Sequence, residues 1–265
     1  VENLINSSLQ PLIYVGGGVI ISNASNELAQ FVEHYYLPVT TTLMGKGAFD
    51  EHHPLALGML GMHGTAYANF AVSNCDLLLA IGARFDDRVT GKLENFACNA
   101  VIIHIDIDPA EISKNKVSRL SIIGDVKQIL RQIIANSTIE SARELVSTEF
   151  IETETEDITI NDWLDKINMW KELYPLSVPV TNNNLSPQEV INQIGLAMPN
   201  AYYTTDVGQH QMWAAQFIKC GPRKWLSSSG LGTMGYGVPA AIGAQVAFPK
   251  ESIICISGDS SFQMN

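Results

Sequence analysis

The sequence predicts an α/β protein, with a parallel, doubly wound sheet over its first half followed by a second α/β unit. Two observations carry this reading. Short, fully apolar runs recur, each ending in a small, polar or acidic residue, and stretches of helical periodicity lie between them. A strand covered by helices on both faces reads as a continuous apolar run, whereas a covering helix reads as amphipathic.

In chain order, residues 12–15 form the first such run and lead into Gly16, Gly17 and Gly18. Residues 26–37 follow, with Leu28, Phe31, Val32, Tyr35 and Tyr36 at helical spacing, giving strand, tight turn and helix. Further strands are predicted at 39–42, 77–81, 101–105 and 120–123, with helical material at 67–72 and 126–134. From about 135 to 159 the periodicity stops and Ser, Thr and Glu dominate, so this stretch reads as a solvated connection or an interaction tail. Trp163, Ile167 and Trp170 mark one helix, ended by Tyr174-Pro175. Ser186-Pro187-Gln188-Glu189 places Ser at the N-cap, Pro first inside and Glu third, opening a helix that runs to about residue 197. Strand 202–205 ends in Asp206-Val207-Gly208-Gln209-His210, and strand 224–227 leads into the glycine-rich residues 229–237. Pro239 opens a small-residue helix to 246, and strand 252–257 ends in Gly258-Asp259-Ser260-Ser261.

The 265 residues, 46% hydrophobic and 16% charged, suffice for one large domain or two ordinary ones and exclude disordered and collagen-like classes. Sixteen Lys and Arg against 27 Asp and Glu give a net charge of −11, which disfavours a nucleic-acid partner held on a broad basic surface. Seven acids (Glu140, Glu144, Glu149, Glu152, Glu154, Glu156, Asp157) against the single base Arg143 place more than half of that imbalance in one stretch. Every apolar run falls short of the roughly 18 residues of a membrane span, so no membrane partner is expected. Cys75, Cys98, Cys220 and Cys255 lie far apart without a Cys-x-x-Cys pair, which argues against zinc or a disulfide scaffold and for reduced, mostly buried thiols. The chain starts at Val1 without an initiator Met or a signal pattern and stops at Asn265 where a helix is due, so both ends are expected to be cut.

In doubly wound sheets ligands sit beyond the carboxyl ends of the strands. Gly16, Gly17 and Gly18 would let the backbone approach a phosphate or a ring, but Ile21 stands where Gly-x-Gly-x-x-Gly needs its last glycine. Thr42-Leu43 stand where a nicotinamide-binding fold places an acid, which demotes a plain NAD dehydrogenase. Loop 58–64 carries Met62 and His63; His63 alone reads as an ordinary packed or surface histidine. Arg84 and Arg88 share a strand-end loop with Asp86 and Asp87, suited to an anionic ligand or to a local Arg–Asp surface network. Asp106 and Asp108 straddle the end of strand 101–105 and suit either ribose hydroxyls or a turn. Gly258-Asp259 sets a carboxylate beside backbone N–H groups at a helix start. That arrangement can hold a diphosphate and Mg²⁺, and is equally an ordinary strand–turn–helix junction.

Five segments closely resemble the catalytic subunits of the acetolactate synthase (acetohydroxyacid synthase) family within the thiamine-diphosphate enzyme superfamily. They are Gly45-Lys46-Gly47-Ala48-Phe49-Asp50, Leu57-Gly58-Met59-Leu60-Gly61-Met62-His63-Gly64, Gly82-Ala83-Arg84-Phe85-Asp86-Asp87-Arg88-Val89-Thr90-Gly91, Asp206-Val207-Gly208-Gln209-His210-Gln211-Met212-Trp213 and Gly230-Leu231-Gly232-Thr233-Met234-Gly235-Tyr236-Gly237. The resemblance covers nearly the whole chain. It implies a central FAD-binding domain at 1–137, an acidic linker at 138–184, and the truncated start of a thiamine-diphosphate and Mg²⁺ domain at 185–265. By the same resemblance Gly16, Gly17, Gly18, Thr42, Leu43, Met62, His63, Gly82, Arg84, Asp86, Arg88, Val89, Asp106, Ile107 and Asp125 are implied to contact FAD or line its groove, Arg88 also reaching the substrate carboxylate. Val207, Gly208, Gln209, His210, Gly232, Met234, Gly258, Ser260 and Ser261 are implied to contact thiamine diphosphate, with Met234 as the apolar wedge that bends it, and Asp259 is implied to ligate Mg²⁺. The superfamily's Gly-Asp-Gly reads Gly-Asp-Ser here; residue 260 serves through its backbone, so Ser is accommodated where φ and ψ are not restricted to glycine.

The implied reaction is decarboxylation of pyruvate on thiamine diphosphate and condensation of the two-carbon unit with pyruvate or 2-ketobutyrate, in branched-chain amino-acid biosynthesis. FAD would be structural, since this condensation has no net redox change. In that family the glutamate that activates the cofactor belongs to an N-terminal domain and acts across a dimer interface, and the asparagine completing the Mg²⁺ site would lie beyond Asn265. This polypeptide alone is therefore expected to be inactive. A homodimer or homotetramer, a small regulatory subunit, and a bacterial cytoplasmic or plastid location rather than secretion belong to the same expectation. Two readings compete: another thiamine-diphosphate decarboxylase or carboligase, against which the Arg84–Arg88 loop and Met234 argue, and a noncatalytic FAD-binding module.

Overall fold

The computed structural model describes residues 1–138, 160–179 and 184–264. They fall into two compact units, Val1–Gly45 with His53–Pro175, and Lys46–His52 with Leu176–Asn265.

The first unit runs α1 (Glu2–Asn6), β1 (Pro11–Val15), α2 (Gly17–Ile21), α3 (Ser25–Tyr35), β2 (Val39–Thr41), a 3₁₀ turn at Leu43–Gly45, β3 (Ala56–Met59), α4 (Ala66–Asn74), β4 (Leu77–Ile81), α5 (Asp87–Thr90), β5 (Val101–Asp106), β6 (Leu120–Ile123), α6 (Val126–Ala135) and α7 (Ile160–Leu173). The six strands form one parallel sheet in the order β3-β2-β1-β4-β5-β6. The doubly wound fold expected from the apolar runs is therefore present. Strand order reverses between β1 and β4, and both strands are buried at every position. In α3 the apolar stripe of Leu28, Phe31, Val32 and Tyr35 is buried, and the helix stops at Tyr36 in the left-handed conformation, φ 53°. Its buried Glu27 accepts from Nε and Nη2 of Arg131 on α6 at 3.0 and 2.7 Å.

The short helices α1, α2 and α5 are additions to the expectation, and two further elements differ from it. β3 falls partly in residues read as a loop; it is an edge strand interrupted by Gly58, with an irregular register against β2, so neither its length nor its pattern announces it. α7 lies within the stretch expected to be linker, yet Trp163 and Ile167 are buried in the same core as Leu12, Tyr14, Leu78 and Phe85. Trp163 Nε1 donates to the Pro11 carbonyl at 3.0 Å. The first compact unit accordingly reaches Pro175. The acidic residues 139–159 and the polar residues 180–183 lie outside the described residues.

The second unit contains α8 (Pro187–Ala197), β7 (Tyr202–Thr205), α9 (Gln209–Phe217), β8 (Trp225–Ser227), α10 (Gly237–Ala247), β9 (Ile253–Ile256) and α11 (Asp259–Phe262). Its described strands are parallel in the order β8-β7-β9, so the carboxyl end of β7 is flanked by those of both neighbours. Ser186 caps α8 by accepting from Glu189 N at 3.1 Å, while the Glu189 carboxylate accepts from Gln193 rather than folding back on the cap. Ile191, Tyr203, Ala214, Ile218 and Ile256 form the core. The segment Lys46–His52 belongs to this unit: buried Lys46 pairs with Glu51 at 2.7 Å and lies over the Trp225 ring, and Glu51 accepts from Cys220 N at 3.1 Å.

All four cysteines are free; Cys75 and Cys220 are buried, but Cys98 is exposed and Cys255 half-buried, so burial holds for only some of the thiols. No helix among the described residues is long and apolar enough to cross a membrane.

Candidate functional site

At the carboxyl edge of the first sheet, the turn after β1 and the turn after β4 cross in direct backbone contact. Gly16 N donates to Ile81 O at 2.9 Å and Gly18 N to Gly82 O at 3.1 Å. A Cβ on Gly16 would fall on the Gly82 carbonyl oxygen, and one on Gly18 would lie 2.7 Å from Gly82 Cα. Gly82 itself sits at φ +59°, where side chains are strained. These glycines thus have a packing duty at the point where strand order reverses, which is also where doubly wound sheets take ligands. The place of Gly17 is looser, since the nearest atom a methyl group there would meet is Met44 Cβ at 3.1 Å. Thr42 Oγ1 accepts from Gly45 N at 2.9 Å and so shapes the turn that carries Leu43.

The loop after β4 is held in an unusual shape. Phe85 adopts φ 55° and its ring is buried. Its ring centroid lies 5.6 Å from that of Tyr14, 6.1 Å from Phe96 and 5.2 Å from His104. Asn115 Nδ2 donates to Arg84 O and Phe85 O at 3.0 and 3.1 Å, and His104 Nε2 donates to Ala83 O at 2.9 Å. His104 Nδ1 and the Tyr14 hydroxyl are buried without a hydrogen-bond partner, and burial holds the His104 pKa below its ordinary value. The same loop pairs Arg84 Nη2 with Asp86 Oδ2 at 2.7 Å, while Asp86 Oδ1 caps α5 by accepting from Arg88 N at 3.1 Å. Burial acts against ionisation of Asp86, but the Arg88 N–H, Asp87 and the two guanidinium groups outweigh it and hold the carboxyl below its usual range. Arg84 therefore belongs to a local ion pair. The Arg88 side chain, 86% exposed and 4.0 Å from Asp87, extends into solvent.

Loop 61–64 abuts this segment, since a Cβ on Gly61 would lie 3.0 Å from Val89 Cα; Met62 and His63 on it are exposed. Ile107 and Ile123 beyond β5 and at the end of β6 are also exposed apolar side chains, as is Met44 beyond β2. Asp106 is buried and its Oδ1 accepts from Asp108 N at 2.9 Å, which realises the turn. Asp125 caps α6 through Gln128 N at 3.1 Å.

In the second unit the ends of β7 and β9 bring together residues about 50 positions apart in sequence. Asp206 is fully buried; Oδ1 accepts from Val207 N and Gly235 N, and Oδ2 from Gly237 N, each at 2.9 Å. Burial alone would raise its pKa, but these three N–H groups and Ser261 hold the carboxyl below its usual range. Ser261 Oγ donates to Val207 O at 3.2 Å, tying the turn after β9 to the turn after β7. The His210 ring fills the space beside two glycines: a Cβ on Gly208 would lie 2.9 Å from His210 Cε1 and one on Gly258 3.0 Å from it. His210 Nε2 is buried without a partner, and burial keeps the imidazole pKa below its ordinary value. Gln209 is exposed at the start of α9. Met234 is 39% exposed on the loop between β8 and α10, with Gly232 at φ +66° before it and Gly235 at φ +91° after it. Asp259 is exposed at the start of α11, its Oδ1 accepting from Ser260 N at 2.8 Å. Ser260 lies inside α11 and has no positive φ, so a side chain is accommodated there.

Sequence reasoning does not single out Asp206, Phe85, His104 or Asn115. Asp206 and Phe85 lie within quoted strand-end segments and are signalled there, whereas His104 and Asn115 declare themselves only through their contacts.

Among the described residues no group of three or more His, Cys, Asp or Glu is arranged to hold a metal by itself. The thiamine pyrophosphate enzyme central domain matches residues 1–133, and the C-terminal thiamine pyrophosphate-binding domain of such enzymes matches residues 206–265. The chain is 56% identical over 264 residues to the acetolactate synthase large subunit of Cyanidium caldarium, covering 100% of this chain and 43% of that protein. It is 56% identical over 262 residues to that of Pyropia yezoensis, covering 99% and 42%, and 50% identical over 273 residues to the probable acetolactate synthase large subunit of Methanocaldococcus jannaschii, covering 99% and 43%. The chain thus spans less than half the length of these curated relatives.

Proposed function

The chain belongs to the thiamine pyrophosphate enzyme family, and from that premise we propose that it is the central section and the beginning of the cofactor domain of an acetolactate synthase catalytic subunit. The observation that carries this reading is similarity to acetolactate synthase large subunits over 99–100% of the chain, beyond either domain alone. In the complete subunit the reaction is decarboxylation of pyruvate and transfer of the two-carbon unit to pyruvate or 2-ketobutyrate. Thiamine diphosphate, when bound, supplies the electron sink for the decarboxylation.

The residues of the second unit fit that cofactor. The unpartnered Nε2 of His210 is a buried polar atom whose hydrogen-bonding capacity remains for a ligand. Gly208 and Gly258, where a methyl group would crowd the His210 ring, set backbone beside it, and Val207, Gln209, Gly232, Ser260 and Ser261 complete the assigned contacts. Met234, an exposed apolar side chain between Gly232 and Gly235, would pack against the cofactor. Asp259 offers one carboxylate, which suits Mg²⁺ because that ion shares phosphate oxygens and needs few from protein.

The first unit fits FAD as a structural group. The glycines at the switch point (Gly16, Gly17, Gly18, Gly82) bring backbone rather than side chains to that edge, and Met62 and Ile107 offer exposed apolar surface. Thr42, Leu43, His63, Arg84, Asp86, Val89, Asp106 and Asp125 are assigned to the same groove. Arg88 is assigned to the substrate carboxylate, supported by a guanidinium that stands in solvent. Assembly as a homodimer or homotetramer, a small regulatory subunit, and a bacterial cytoplasmic or plastid location are part of this proposal.

The test is an assay of the complete subunit, stripped of cofactors and reconstituted. Acetolactate formation from pyruvate is expected only with thiamine diphosphate, Mg²⁺ and FAD together. Release of acetaldehyde instead would assign a decarboxylase, and flavin retention without turnover would assign a noncatalytic module.

A further inference from the structure

We propose that Asp206 is the positioning residue of the thiamine-diphosphate site, a buried carboxylate that fixes the Met234 loop against the end of β7; this rests on the functional reading above. Asp206 follows directly on the central strand of the sheet, and its own N–H is taken by Ile256 O of β9 at 2.9 Å. Its two carboxylate oxygens collect three backbone donors: Val207 N from its own turn, and Gly235 N and Gly237 N from a loop about 30 residues later. Met234 is thereby bracketed. On one side Thr233 N donates to Ser228 Oγ at 3.0 Å, and on the other Gly235 N donates to Asp206 at 2.9 Å.

The arrangement is too costly to be incidental. A fully buried anion, with no Lys or Arg bonded to it among the described residues, is tolerated because charge-assisted bonds to N–H groups compensate its desolvation. Gly237 has no space for a methyl group, which would come within 3.1 Å of Asp206 Oδ2, so the loop is fitted to the carboxylate as closely as the carboxylate is to the loop. An amide at 206 could accept at only one of its two ends and would set an NH₂ against a backbone donor. Asp206 touches no ligand position itself; it acts by holding Met234 and the Val207–Gly208 turn in one arrangement before the cofactor arrives.

The test compares Asp206→Asn with the wild type in the complete subunit. Thiamine diphosphate affinity in the presence of Mg²⁺, the near-ultraviolet circular dichroism of the bound cofactor, and the melting temperature would be measured. At least a tenfold loss of affinity with an altered cofactor signal in folded protein is expected. A lowered melting temperature with unchanged affinity and signal would reduce Asp206 to a purely structural residue and overturn the proposal. Failure of the wild type to bind thiamine diphosphate at all would overturn the functional reading and this proposal with it. If the variant does not fold, hydrogen exchange of the cofactor-free wild type decides: the Gly235 and Gly237 amides should be protected at least a hundredfold, and exchange at the rate of an unstructured chain would refute the idea.

Discussion

A methyl group at Gly18 would have to share space with Gly82 Cα, and both segments are pinned by strand-end hydrogen bonds. Gly18→Ala should lower the stability of the first unit by about 2–3 kcal/mol, the upper range for overpacking, because no flexible side chain can yield. Gly17→Ala, whose nearest neighbour would be Met44 Cβ at 3.1 Å, should cost about 1 kcal/mol or less; urea unfolding of the two variants separates these outcomes. Titratable residues make a second prediction. His104 and His210 have folded pKa values below 6.5, so the unfolded chain binds protons more readily; their contribution is fully present above pH 6.5 and is lost as pH falls from there toward the folded values. The carboxyls of Asp86 and Asp206, also depressed, hold their contribution down to the ordinary Asp value of 3.8 and lose it as pH falls through their folded values. The urea midpoint should accordingly fall in two stages on acidification. His104→Gln, whose amide can still donate to Ala83 O, should flatten the first stage; an unchanged slope below pH 6.5 would count against the assignment.

α7 is held through buried Trp163 and Ile167, of which Trp163 also makes a hydrogen bond. Trp163 buries a large ring and gives its indole N–H to Pro11 at the start of β1, so Trp163→Ala should cost about 3–5 kcal/mol, whereas Trp163→Phe should cost about 1–2 kcal/mol by leaving the Pro11 carbonyl unpaired. Chemical denaturation of both variants checks the difference. At α8, Ser186→Ala should cost about 1 kcal/mol, the usual worth of an N-cap, because Glu189 does not reciprocate the bond. These two helices show why some elements are legible in sequence and others are not. The α8 start is written in local chemistry, a Ser-Pro-x-Glu run whose cap forms within three residues. β4 and β6 are equally local, apolar runs bounded by polar residues, and their limits at 77–81 and 120–123 match the expectation. β3 is different: four residues including Gly58 become a strand because β2 offers an edge to pair with. The periodicity of Trp163, Ile167 and Trp170 announces a helix, but only the first unit's core shows that the helix belongs there.

For the whole molecule the assignments predict two separate footprints. In the complete subunit, FAD should slow hydrogen exchange at 42–45, 82–90 and 106–108, and thiamine diphosphate with Mg²⁺ at 206–210, 232–237 and 258–261. Each ligand at a hundred times its Kd should add about 2.7 kcal/mol to the unit that holds it; one common footprint for both would contradict the division. Before any folding is considered, the chain's alternation of apolar runs and helices determines a parallel α/β fold, because side-chain periodicity and turn chemistry act over a few residues. It also determines which loops can bear ligands, since those loops follow strands. Of the candidate site, the glycines, Arg88, His210, Met234 and Asp259 are legible as residue types in strand-end loops. Their duties are not. Only the tertiary structure decides that Gly16, Gly18 and Gly82 pack on one another, that Arg84 pairs closely with Asp86 while Arg88 stands exposed at 4.0 Å from Asp87, and that Asp206 gathers N–H groups from a loop about 30 residues away. The physical reason is distance along the chain: hydrogen bonds and close contacts between remote segments depend on how the strands are ordered in the sheet, and no local pattern encodes that order.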